Sequence, residues 1–468
     1  MALLEVSTQS GIVRGVRANN HGYSIFKGIP YAKPPVGALR YAPPQAVEPW
    51  EGIPDCDRWP KTCMQEQGSF WFFEKEFYPV PKDMSEDCLY LNIWTPAREP
   101  GEKLPVFFWI HGGGYGGGYS YEMEFDGEAM CKRGCILVTI NYRCNSFGFF
   151  AHPELTARFG KSGNAGMYDQ IAALKWVHEN IAAFGGDPDN ITVHGQSAGG
   201  MSTKALLASP LCRGLMNRAI IQSAGGLNDW STFRTMAEQE QFGVKLLETA
   251  SLSLDELLAL DSQAAFDTLQ KAAAKLADNP MQLGFSPCLD GEALVAAPSK
   301  CLSDGTINTD SLMCGAVGGD AGLNAQSIGM GAFGQAGDVP PFICCAATLS
   351  LARVRAEALK PIYGYEFDHS LPGGDGLGPF HSVELWFMFG SLHRAWRPWT
   401  GYDYVLSDTM VDYWCSFART GDPNTESRPF WPAYTNEDPR LMFFGDNKIE
   451  ALDPIQSTED EVLIKKMG

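Results

Sequence analysis

Residues 184–208 read FGGDPDNITVHGQSAGGMSTKALLA, and the folding of this stretch decides the folding of the chain. Its first half holds NITVHG, a short apolar run of the kind that forms a strand buried on both faces of a parallel sheet. Its second half, SAGGMSTKALLA, reads as a helix. Gly195-Gln196-Ser197-Ala198-Gly199 stands at the junction. A serine in G-x-S-x-G between strand and helix sits on a sharp, strained turn at the C-terminal edge of the sheet. Flanking glycines remove side chains that would clash there, and the following helix aims its N-terminal dipole at developing negative charge. A glycine-rich turn without chemistry is the alternative. The strand before and the helix after weigh against it, so Ser197 is the candidate nucleophile.

Working outward, LYLNIW, LPVFFWI, CILVTINY and RAIIQSA are further dense apolar runs, and GMYDQIAALKWVHENIAAFG repeats Ile171, Leu174, Val177 and Ile181 at helical spacing. Strand, helix and strand in alternation predict an α/β fold with a large central, mostly parallel, twisted sheet flanked by helices. EVSTQSGIVRGVR and YSIFKGIPYA alternate with period two near the start and predict a small N-terminal β-hairpin region. SLMCGAV, PIYGYEF and RLMFFGD are later strand candidates. Ser253 and Glu256 form a capping-box pattern at the start of a helix. Residues 235–285 and the glycine-rich 323–342 are expected to form helical and loop cover over the active site. No repeat or linker divides the chain, so residues 1–468 are expected to form one domain.

The formal net charge of −19 sets the chain against nucleic acid and anionic membranes as partners, and against polyanionic substrates. No run reaches the roughly 18 apolar residues of a membrane span. The opening MALLEVSTQSG places Glu5 where a signal peptide would stay apolar. Thirteen cysteines without a C-x-x-C pair suggest buried thiols in a reducing cytoplasm. An oligomeric state is not legible.

Upstream, LPVFFWIHGGGYGGGYS places His111-Gly112-Gly113-Gly114 directly after a strand. Glycines there leave backbone N–H groups free to face a site, and a tetrahedral intermediate needs such donors. Gly113 and Gly114, with Ala198 after the serine, are the candidate oxyanion hole. A flexible glycine loop is the alternative. His111 precedes the glycines and reads as structural.

Two long patterns carry a family resemblance. One is Phe184-Gly185-Gly186 followed by Ile191-x-Val193-x-Gly195-x-Ser197-Ala198-Gly199; the other is Glu86-Asp87-Cys88-Leu89-Tyr90-Leu91-Asn92-Ile93-Trp94-x-Pro96. With FKGIPYAKPPVGALRY and NYRCNSFGFF they make the chain similar to type-B carboxylesterases, the group that includes the cholinesterases, over nearly its whole length. The resemblance implies an α/β-hydrolase fold and a serine esterase acting on small to medium neutral alkyl or aryl esters, with no metal or organic cofactor. In that fold the order is Ser, then Asp or Glu, then His. Only His369, His381 and His393 lie late enough. His369 matches a structural strand end, and His393 reads as surface or helix end. His381, in GPFHSVELWFMFG, resembles the family's catalytic histidine loop. The family's acid is a glutamate in D-E-G, which SLMCGAVGGDAGL lacks. Aligning strand ends puts Asp320 in that role, with Asp368 or Asp375 as alternatives; either carboxylate suits the chemistry.

Gln196 stands where cholinesterases carry a glutamate, and Tyr78 where they carry a choline-binding tryptophan. Both departures argue against a choline esterase. Trp71, Phe72, Phe73, Phe77 and Tyr78, with Gln196 and Tyr115, are candidate pocket residues, the aromatics being equally readable as loop packing. The 61 residues from Asp320 to His381 are fewer than in animal members, which implies a shallower pocket. Cys63 and Cys88 match a family disulfide. Three rival readings are a specialised aryl esterase of the feruloyl type, a non-catalytic adhesion relative and an interfacial lipase. Ser197 and His381 weigh against the second. The third lacks an amphipathic lid.

Overall fold

The chain is described here from a computed structural model covering residues 2–19, 22–66, 76–77, 83–227, 229, 233–277, 284–320, 343–376 and 378–454. Its opening forms a two-stranded antiparallel ribbon, β1 (Glu5–Thr8) and β2 (Gly11–Arg14). The remaining strands are β3 (Val16–Arg17), β4 (Ser24–Pro30), β5 (Tyr90–Thr95), β6 (Leu104–Ile110), β7 (Ile136–Ile140), β8 (Gly186–Gln196), β9 (Arg218–Gln222), β10 (Leu312–Val317), β11 (Tyr363–Asp368), β12 (Leu441–Gly445) and β13 (Lys448–Leu452). They form one sheet of 11 strands in the order β13-β12-β11-β10-β9-β8-β6-β7-β5-β4-β3. From β7 across to β12 every pairing is parallel; the flanks are antiparallel.

The apolar runs are continuous because both faces of the central sheet are buried. In β6, Val106, Phe108 and Ile110 enter one core, while Phe107 and Trp109 enter the other. That alternation is the period-two geometry of a strand. The first core is closed by α1 (Ala165–Asn180) and α2 (Ala198–Ala208) and, further on, α6 (Ile343–Glu357). Between them in sequence, α3 (Met236–Ala250), α4 (Leu254–Ala259) and α5 (Ser262–Leu276) add Leu246, Leu257 and Phe266 to the same core. The Ser253–Glu256 capping box forms at the start of α4. The second core is closed by α7 (Glu384–Met388) and α8 (Gly401–Thr420). Among the described residues, no helix is long and apolar enough to cross a membrane.

Several motif residues turn out to be buried pins. Arg40 makes a two-pronged contact with Glu86 at 2.6 and 2.8 Å, joining the FKGIPYAKPPVGALRY stretch to the Glu86–Pro96 pattern. Arg143 of NYRCNSFGFF pairs with Asp169 of α1 at 2.7 and 2.8 Å. The twelve cysteines whose side chains are described are free thiols, with Cys63 and Cys88 side by side.

Candidate active site

The C-terminal ends of β6, β8 and β10 converge with the loop that follows β11. Ser197 stands at the N-cap of α2 with φ 56° and ψ −127°, a positive-φ backbone that a serine adopts only under constraint. The constraint is close packing. A side chain on Gly195 would put its Cβ 2.2 Å from the Gly199 carbonyl, and one on Gly199 would sit 2.0 Å from the Ile110 carbonyl. The Ser197 N–H donates to Gln222 O at 3.0 Å, which fixes the turn against β9. Ser197 itself remains partly exposed.

Gly112–Gly114 leave β6 directly against this turn; a Cβ on Gly112 would lie 3.1 Å from Ser197 Cβ. Gly113 (φ 100°) and Gly114 (φ 61°) both adopt the conformation that glycine favours. The N–H groups of Gly113, Gly114 and Ala198 have no acceptor among the described residues. Ala198 is the first residue of α2, where an N–H has no partner within the helix. The sequence-predicted donors thus stand free on either side of the serine turn.

Asp320 follows β10, and its loop is tied to the His381 loop by the Gly319 N–H, which donates to Pro379 O at 3.0 Å. That places His381 Nδ1–H to donate to Asp320 Oδ1. Asp320 is the carboxylate His381 meets; Asp375 instead accepts from Arg397 at 3.0 Å. The other Asp320 oxygen, Oδ2, is buried and unpartnered among the described residues. The His381 side chain is 31% exposed. Burial pulls its pKa down, but the charge and hydrogen bond of Asp320, with Glu384 behind, outweigh burial and leave it above the ordinary histidine value.

On the other side of the ring, Gln196 Nε2 lies 3.2 Å from His381 Nε2, and Gln196 Oε1 accepts from Ser382 Oγ at 3.0 Å. Gln196, expected to line the pocket, is 2% exposed and sits behind the serine turn. Tyr115 is also buried, edge-on to Phe149 with ring centres 5.2 Å apart and its hydroxyl accepting from Ser202 at 3.4 Å. Trp71, Phe72, Phe73 and Tyr78, and the loop 323–342, lie outside the described residues. Phe77 of the same aromatic cluster stacks on Trp386 and meets Phe380, next to His381.

Sequence reasoning passed over Glu384, Gln222 and Ser382 as working parts. Glu384 is fully buried three residues after His381, and Gln222 donates to its Oε1 at 3.2 Å. Burial, and then the charge of Asp320, push the Glu384 carboxyl up to about 8. A glutamate inside the apolar run ELWFM was the available signal. The two other late histidines stand apart. His369 is held between Asp403 (2.6 Å) and Asp446 (2.7 Å), and His393 is exposed. His111 stacks on Tyr142, and burial drives it down to about 4. Among the described residues, no cluster of three or more His, Cys, Asp or Glu could hold a metal.

The arrangement offers a strained, partly exposed serine, a carboxylate-oriented imidazole and three N–H groups without an acceptor among the described residues, the parts of an acyl-transfer site. The family model that matches is described as the carboxylesterase family, over residues 3–335 and 342–462. The para-nitrobenzyl esterase of Bacillus subtilis (strain 168) is 33% identical over 503 aligned positions, covering 99% of each chain. A medium-chain fatty acyl-CoA hydrolase precursor from Anas platyrhynchos is 32% identical, covering 92% of this chain and 86% of its own. Among solved structures, a PNB esterase superposes with a TM-score of 0.84 at 31% identity, covering 98% of this chain and 99% of its own. The carboxylesterase of Geobacillus stearothermophilus gives 0.79 at 32% identity, covering 98% and 100%.

Proposed function

The chain belongs to the carboxylesterase family, and from that premise we propose that it hydrolyses carboxylic esters through an acyl-enzyme on Ser197. Ser197 Oγ attacks the ester carbonyl carbon while His381 Nε2 takes the hydroxyl proton. The carbonyl electrons move onto oxygen, and the N–H groups of Gly113, Gly114 and Ala198 hold that oxyanion. Asp320 orients the imidazole and stabilises its protonated form. The intermediate collapses, the bond to the alcohol oxygen breaks, and His381 protonates the departing alcohol. Water then attacks the acyl-enzyme, giving its proton to His381, and the acid leaves as Ser197 recovers a proton.

One observation carries this reading. The His381–Asp320 hydrogen bond lies at the serine turn, its ring facing the residue next to Ser197. Neutral alkyl or aryl esters fit the acidic chain better than polyanionic ones, since the net charge is −19. We read residues 1–468 as one domain working in a reducing compartment; the free thiols of the described cysteines support the second point. The test is p-nitrophenol release from a ladder of acetyl to octanoyl esters, by the native protein and Ser197→Ala. Native turnover is expected to exceed that of the variant by roughly a thousandfold to a millionfold in kcat. The chain-length optimum then sizes the acyl pocket. Equal rates in the two proteins would dismiss the nucleophile.

A further inference from the structure

Gln196 stands where a side chain can govern the catalytic base without touching substrate. It is the last residue of β8, 2% exposed, and its side chain bridges the serine turn and the His381 loop. Its Oε1 is taken by the Ser382 hydroxyl at 3.0 Å, on a residue held at φ 76°. In this arrangement the nitrogen end faces His381 Nε2, 3.2 Å away. With Asp320 taking the Nδ1 proton, the neutral ring leaves Nε2 as the accepting nitrogen, and the amide NH2 donates to it. This is the tautomer that a general base for Ser197 requires.

We propose that Gln196 is a positioning residue that holds His381 in its base-competent tautomer and keeps it neutral to lower pH than its carboxylate neighbours would allow. Protonating Nε2 would replace an acceptor with a donor and set two N–H groups against each other. A hydrogen bond given to the neutral form disfavours the charged one. Among the described residues, the group pulling the other way across the acid limb is Asp320 at the end of β10, joined by Glu384 on α7 only above its own raised pKa of about 8. Tyr365 of β11 stands beside those two carboxyls as a phenol whose own ionisation burial suppresses. From the β8–α2 turn comes the uncharged Gln196. Gln196 is therefore the counterweight in an otherwise acidic surround.

The inference rests on His381 being the base, and the test separates the two ideas. The acid limb of kcat/KM for a short p-nitrophenyl ester is measured for the native protein, Gln196→Glu and Gln196→Met. A glutamate places an anion against Nε2 and is expected to raise the limb by roughly one to three pH units. Methionine keeps the length but removes the donor, and is expected to raise it by roughly half to one unit. Activity on the alkaline plateau should stay within about tenfold of native for the methionine variant, the size of effect expected of one lost neutral hydrogen bond. If Gln196→Glu does not fold, Gln196→Met alone decides. A native profile with no acid limb removes the base reading itself. A native limb that neither variant moves overturns this inference, as does a loss of plateau activity with the limb unmoved, which marks a merely structural role.

Discussion

Ser197 is held at a backbone conformation that costs free energy, and the cost is met by packing no larger residue would permit. The carbonyls of Ile110 and Gly199 lie within about 2 Å of where side chains on Gly199 and Gly195 would start. The spacing G-x-S-x-G therefore discloses the site, since only those glycines let strand and helix close on the serine. The acid was harder to read. The D-E-G pattern is absent, and strand ends rather than identity led to Asp320, which the structure sets against His381. The partnership of Gln196 with His381 spans 185 residues and has no local signature. Replacing Asp320 by Asn tests the acid. Its charge, working against burial, lifts His381 above the usual value of about 6.5. In the native protein, kcat/KM should fall as pH drops through that raised pKa. In Asp320→Asn, kcat should fall on the order of ten-thousandfold, as for the equivalent change in a serine protease. Any residual acid limb should move to lower pH. An unchanged profile would assign the role elsewhere.

At the scale of elements, what was legible followed from burial on both faces. β6, β7 and β10 are near-continuous apolar runs because each separates two cores. The antiparallel β13 has no such run; KIEAL lies half-exposed at the sheet edge and was not read. The long α8 was also passed over. Its ends carry clear signals, a Thr400–Asp403 capping box and Gly421 at φ 84°, but its exposed face carries the apolar Tyr404 and Val405 while Asp403, Ser407 and Thr409 are buried, which blurs the periodic contrast. The loop after β6 makes a graded prediction. A Cβ on Gly113 would meet the Gly117 carbonyl at 2.3 Å, whereas one on Gly114 would meet nothing within 4 Å. Gly113→Ala must displace the loop and with it the proposed oxyanion donors, and should lower kcat by roughly a hundredfold to a thousandfold. Gly114→Ala meets only the left-handed backbone penalty, about 1–2 kcal/mol. It should retain far more activity. Steady-state kinetics on both variants decides; equal losses would mean that the loop is not shaped by the Gly113–Gly117 contact.

For the whole molecule, the sheet brings together groups far apart in sequence, while buried ion pairs hold the loops that surround the site. Arg143–Asp169 is one of the fully enclosed pairs, with side-chain exposures of 2% and 0%. Breaking such a pair leaves a charge without its partner in the core. Asp169→Leu should therefore destabilise the fold by about 3–5 kcal/mol, read as a lower midpoint in urea. An unchanged midpoint would mean that Arg143 finds other compensation. Arg143 and Asp169 lie on opposite sides, in sequence, of the Asn145–Phe149 turn, whose N–H at Asn145 donates to Tyr115 O at 2.6 Å in the glycine-rich loop after β6. Stability and site geometry are thus linked through one buried charge pair.

The central claim is that Ser197, activated by His381, carries the acyl group. The direct measurement is acid-quenched reaction with p-nitrophenyl acetate followed by peptide mass mapping of the native protein, Ser197→Ala and His381→Ala. The account predicts an acetyl adduct on the peptide carrying Ser197 in the native protein, none at that position in Ser197→Ala, and little in His381→Ala. Full turnover with Ser197 unmodified, or an adduct that forms equally without His381, would contradict it.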